Sequence, residues 1–147
     1  MKKQAFYILT ALVLITGAAI SQAYGQRFYS STFDIPFDFS VRGKAFPAGS
    51  YTVGRGPGLN PDILMIRSQD GNRSALCHSV PKQLQARPEQ SQLVFSRCGN
   101  SYRLHEVRTA GLATGREVLR TKAERSLERE LEASGTRVEP VVIAAAR

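Results

Sequence analysis

The chain has 147 residues, 20 of them Lys or Arg against 12 Asp or Glu, for a formal net charge of +8. That length allows one domain with a single modest core. The positive excess favours anionic surfaces such as phospholipid headgroups, acidic polysaccharide or nucleic acid without selecting among them.

The N-terminal stretch MKKQAFYILTALVLITGAAISQAYGQ follows the three-part plan of a secretory signal: Lys2 and Lys3, an apolar run from Ala5 to about Ile20, then small residues. Ser21-Gln22-Ala23 fits the small-x-small cleavage rule, with Ala23-Tyr24-Gly25 as a second option. The competing reading is an uncleaved anchor, but the apolar run sits at the lower limit of a spanning helix and ends without a basic stop. No later segment is apolar enough to span a bilayer. The expectation is an exported protein, periplasmic or secreted, with residues 1–23 as signal peptide and residues 24–147 as a single β-rich domain. Without Lys2 and Lys3, 18 basic residues face 12 acidic ones, a mature charge of +6.

FDIPFDFSV, residues 33–41, alternates apolar and polar for nine residues, the period of a strand with one buried face. Pro36 has no N–H for a ladder and points to an edge or a bulge there. Arg42-Gly43-Lys44 reads as a tight turn and Phe46-Pro47-Ala48-Gly49 as a type I turn, followed by a strand from Ser50 to Gly54. The Gly- and Pro-rich segment 55–61 is a loop. Ile63 to Ser68 and Arg73 to Val80 flank Asp70-Gly71, a hairpin signal that pairs Met65 with Leu76 and Ile66 with Ala75. A second hairpin at Gly99-Asn100 sets Phe95 opposite Leu104 and Arg97 opposite Tyr102. If the strand ending at Val80 pairs antiparallel with the one starting at Leu93, then Met65, Leu76, Val80, Leu93, Phe95 and Leu104 share a core face. The same register sets Cys77 opposite Cys98.

Thr121-Lys122-Ala123-Glu124 has the pattern of a capping box, and Ala123, Leu127 and Leu131 recur at helical spacing, predicting a helix from Lys122 to Ser134 that ends before Gly135. Its apolar stripe is narrow, so it should lie on the sheet without entering the core deeply. Val138 to Ala145 reads as a last strand. The predicted architecture is a small antiparallel β-sandwich or barrel of about seven strands with one helix near the C-terminus.

The segments PFDFSVRGKAFPAGSYTV, LMIRS, LVFSRCGNSYRLHEVRTAG and TKAERSLERE together resemble a group of small exported bacterial proteins that share a PFDFxVxGKxxPAGxYxV block. The resemblance spans most of the mature chain. It implies no activity, cofactor or catalytic residue.

In an oxidising compartment Cys77 and Cys98, as cross-strand neighbours, are expected to form a structural disulfide contributing about 3 kcal/mol, the alternative being two free thiols. Cys77, His78, Cys98 and His105 are metal-ligand types. However, Cys77 and His78 point to opposite faces, and His105, paired with Val94, lies about 13 Å along the ladder from Cys98. Zinc requires its ligand atoms near 2 Å from one point, so no metal or other cofactor is expected. Asp34 and Asp38 are also about 13 Å apart, too far for a glycosidase pair. No Gly-x-Ser-x-Gly, His-Glu-x-x-His or phosphate loop is present, and no catalytic residue is assigned. Arg97, Tyr102, Arg103 and Arg108 form the one basic and aromatic group with a shared location, a candidate anion-binding face.

The first functional expectation is a non-catalytic envelope module, binding a protein or surface polymer or serving structurally. The alternatives are a binder of an anionic ligand through the Arg and Tyr face and, last, a small hydrolase or redox enzyme. Export disfavours nucleic acid as partner. An exposed strand edge leaves oligomerisation open.

Overall fold

The computed structural model describes residues 30–58 and 60–146, and the predicted signal peptide lies outside them. The elements follow as β1 Ser31–Ile35, β2 Phe39–Val41, β3 Lys44–Phe46, β4 Gly49–Arg55, β5 Ile63–Ser68, β6 Ser74–Gln83, β7 Gln92–Cys98, β8 Ser101–Arg108, β9 Thr114–Val118, α1 Lys122–Ala133 and β10 Val138–Ala144. These ten strands make one mixed sheet in which β1, β4, β5, β6, β9 and β8 lie side by side. Beyond β8 the sheet continues both to β7 with β10 and to the short hairpin of β2 and β3. The pairing is antiparallel throughout, apart from one parallel contact of Ser40 with Arg103. Among the described residues no helix is long and apolar enough to cross a membrane.

The fold is mainly β, and the expected seven strands become ten for local reasons. The alternation along residues 33–41 holds, with Phe33, Ile35, Phe39 and Val41 all buried, but the chain breaks between Ile35 and Phe39, where Pro36 removes a ladder donor. β1 then pairs with β4, while β2 turns through Arg42 and Gly43, both at positive φ, into β3. β9 had no clear signal in its sequence, TGREV.

β6 changes partner along its length. Residues 74–78 pair with β5, and residues 79–83 pair with β9. At the far end of the chain the Ala146 N–H donates to the Thr32 carbonyl at 2.9 Å, bringing the segment after β10 back to β1.

The core is aromatic. Phe39 lies edge-on to Tyr51 at 5.1 Å and to Phe95 at 5.4 Å, and stacks on Phe46 at 5.4 Å. Such offset and T-shaped contacts are the arrangements aromatic quadrupoles prefer. Tyr51 donates its hydroxyl to the Pro47 carbonyl at 2.6 Å, which also ties down the predicted turn before β4.

Both hairpin registers are as expected: Met65 with Leu76, Ile66 with Ala75, Phe95 with Leu104, Arg97 with Tyr102. The assumed neighbour relation of β6 and β7 is corrected. β9 lies between β6 and β8, so nothing links the phases of β6 and β7, and the inward residues of the first hairpin are Leu64, Ile66 and Cys77. Leu76 and Val80, expected in the core, are 54% and 39% exposed. A second correction concerns His105. The ladder slips between Val94 and Phe95, so Val94 faces Glu106 and His105 is the extra residue of a bulge.

The disulfide is corrected with the register. Cys77 lies in the core opposite Leu64, Cys98 faces Val138, and both are free thiols. Burial pushes the Cys77 thiol up to about 11, which makes it inert. A thiol reagent is therefore expected to label half-exposed Cys98 alone in the native protein and both cysteines in denaturant. Two slow thiols in the native state, or none in denaturant without a reductant, would contradict this arrangement.

Candidate functional site

α1 is attached to the sheet by charge. Thr121 accepts the Glu124 N–H at 3.2 Å, and the Glu124 carboxylate accepts the Thr121 N–H at 2.7 Å, completing the predicted capping box. The other Glu124 oxygen accepts the Gly43 N–H at 2.9 Å, so the cap also binds the helix to the turn between β2 and β3. One turn on, Glu128 bridges Arg103 of β8 at 3.2 Å and Arg120 at 2.6 Å. Burial raises the Glu128 carboxyl, but the hydrogen bonds from Arg120 and Arg103 and their charges outweigh it and hold it below the ordinary range.

No residue of α1 is buried, and Leu127 remains 56% exposed. A helix this short is marginal by itself, so its apolar stripe spans a gap without filling it. The gap is a groove of about 110 Å³ between α1 and the outer face of β7, β8 and β10. Leu127, Leu131, Val138 and Cys98 supply its apolar wall, Ser96, Ser101 and Arg103 supply polar donors, and Glu124 and Glu128, whose carboxylates are already hydrogen-bonded, also line it. Arg103 lines the groove, and its Nε–H is buried without an acceptor among the described residues, although its Nη2 is held by Glu128. Buried donors of this kind are uncommon in folded proteins and mark a place where an acceptor is wanted.

The four residues expected to share an anion-binding face are distributed over three places. Arg97 and Tyr102 are together: the guanidinium lies 5.7 Å over the Tyr102 ring, which stacks on Phe37 at 3.9 Å. Strand alternation sends Arg103 to the opposite face, beneath α1. Arg108, at the far end of β8, donates to Glu106 at 2.7 Å.

Glu106 is the residue the sequence left unremarked. Its side chain is 0% exposed, and it accepts from Arg108 and from Lys82 at 3.0 Å. Lys82 also reaches the Glu117 carboxylate at 3.8 Å. The only sequence sign of this site is Gly115, interior to β9. A Cβ there would come within 3.2 Å of the Glu106 carboxylate and 3.1 Å of Leu84. Saturated by two cations, Glu106 is built to hold charge in place and not to move a proton. Burial pushes the His105 imidazole beside it below its ordinary range, against the opposing pull of Glu117. Among the described residues no three His, Cys, Asp or Glu side chains are grouped to hold a metal ion.

A last polar group closes one end of the core. Arg116 on β9 donates to Ser79 Oγ at 3.1 Å and to Asp62 at 2.7 Å, beside a cleft of about 120 Å³ floored by Phe33, Val53, Leu64 and Val107. The chain matches no family model, no curated protein sequence and no solved structure.

Proposed function

We propose that this is an exported, non-catalytic binding domain of the bacterial cell envelope, periplasmic or secreted, holding a small amphipathic anion in the groove beneath α1. The unpaired Nε–H of Arg103, a residue lining a partly apolar groove, carries this reading; a ligand reaches it by a shift of the Arg103 side chain. A carboxylate head would accept from Arg103, and a short aliphatic tail would cover Leu127, Leu131 and Val138, gaining the burial that the helix alone does not provide. The three-part N-terminus and the resemblance to exported bacterial proteins support export.

We read the sheet as rolled into a barrel, since β6 passes from one partner to the other along its length and the chain end returns to β1. Phe33, Tyr51, Phe95 and Leu104 fill its interior, which favours a site on the outside.

The test is calorimetric titration with octanoate and, separately, octanol. Octanoate is expected to bind saturably, octanol much more weakly, and Arg103→Ala to weaken octanoate roughly tenfold or more, the scale of a charged hydrogen bond. The Glu124 carboxylate still accepts the Gly43 N–H in that variant, so the helix keeps its bond to the turn between β2 and β3. Equal affinity for the two probes, or no effect of Arg103→Ala, would refute the site. A second reading, binding of a protein or surface polymer, is favoured only by the exposed Arg97 on Tyr102.

A further inference from the structure

β6 is unusual in where it puts its apolar side chains. Ala75, Cys77 and Ser79 face inward, whereas Leu76, His78 and Val80 face outward, so the exposed row is at least as apolar as the buried one. An outer strand face normally carries the polar half of the alternation. Outward Met65 on β5 lies opposite Leu76, and Ile63 lies opposite His78. Leu119, 43% exposed, donates its N–H to the His78 carbonyl and continues the row past β9. The result is an apolar strip, interrupted by His78, across three neighbouring segments of the sheet's outer face.

The strip has a basic border. Arg42, from the turn between β2 and β3, and Lys44, which opens β3, line a shallow depression with Leu76. Arg67 follows Met65 on the outer face of β5, and Lys122 lies just beyond Leu119. Among the described residues none of these four cations is ion-paired, whereas Lys82, Arg103, Arg108, Arg116 and Arg120 each have a carboxylate. Two acidic neighbours are both engaged: Glu117, at the Val80 end, is held by Lys82, and Glu124 accepts the Gly43 N–H between Arg42 and Lys44 and the Thr121 N–H.

From these observations we propose that the outer face of β5 and β6 is a docking surface for an anionic phospholipid bilayer. Exposed Leu and Val side chains enter the headgroup boundary, and the four cations meet lipid phosphates around them. Exposed Arg42, Arg67 and Lys122 have no carboxylate partner among the described residues and suit mobile headgroups, while Lys44, which donates to the Ser74 carbonyl at 2.7 Å, keeps further N–H donors for them. This surface is separate from the groove under α1, so the two readings stand or fall independently.

The experiment uses the chain from Tyr24 onward, which retains every buried residue described, in flotation assays with vesicles. Pure phosphatidylcholine vesicles are compared with vesicles containing phosphatidylglycerol, at low and moderate salt. The protein is expected to float with the anionic vesicles only, and less at moderate salt, the border charges being screened. Leu76→Glu, a substitution at a half-exposed site, is expected to reduce binding at least tenfold, and Arg42→Glu to reduce it severalfold. Arg97→Glu makes the same charge change on Arg97, outside the strip, and is expected to leave binding nearly intact. Equal binding to neutral vesicles, indifference to Leu76→Glu, or an equal loss with Arg97→Glu would overturn the proposal. So would full occupancy of the strip by a protein partner that excludes the vesicles.

Discussion

Replacing Lys82 and Arg108 together by Met is expected to lower folding stability by about 3 kcal/mol or more, read from the shift of the urea midpoint. The variant leaves the Glu106 carboxylate, 0% exposed in the parent, without either cation that it bonds. The two cations, 41% and 34% exposed, can recover water when Glu106 is removed, but Glu106 cannot when they are. Removal of the cations should therefore cost more than Glu106→Gln alone, and adding Glu106→Gln to the double variant should restore most of the loss. If the double variant matched the parent, the network would not be holding a buried charge.

The pH dependence follows with a definite sign. Burial raises the Glu106 carboxyl, but the hydrogen bonds and charges of Arg108 and Lys82 prevail and lower it from the ordinary 4.5. A carboxyl lowered on folding contributes stability above its unfolded value, and that contribution is lost as the pH falls through the folded one. In the double variant only burial remains, so the Glu106 carboxyl rises and its own contribution to stability changes sign, favouring the fold at acidic rather than neutral pH.

Phe95→Ala is expected to cost about 3–5 kcal/mol, the range for large aromatic truncations in a packed core. Phe95 is 0% exposed and meets Phe37 at 5.2 Å and Phe39 at 5.4 Å, both edge-on. The informative partner is Leu76→Ala. Alternation and pairing had placed Leu76 and Phe95 on one core face, whereas the structure leaves Leu76 54% exposed. The two truncations should therefore differ by several-fold in their effect on the same midpoint. Equal costs would mean that the inward face of the first hairpin has been misassigned.

That contrast shows where the chain was legible. Residues 33–41 alternate cleanly, so their buried face could be read, and Asp70-Gly71 and Gly99-Asn100 determine hairpin registers through turn length alone. The capping box at Thr121 and Glu124 is likewise a local device. In ILMIRS, by contrast, both faces of β5 are apolar, so alternation cannot choose between Met65 and Ile66, and the choice passes to non-local pairing. That pairing depends on β9, whose TGREV has little strand character and carries an inward arginine. The disulfide expectation failed for the same reason, since it rested on a β6 to β7 contact that β9 pre-empts. Glu106 was hidden by the bulge at His105, and no regular spacing reveals a bulge.

β6 also bears on cooperativity. Its backbone belongs to two ladders, one with β5 and one with β9, and neither can be unzipped without loosening the strand that the other needs. The chain thus has no internal point at which half the sheet could melt while the other half survives. The urea curves that compare these variants should each be a single transition, in which one free energy describes the whole sheet.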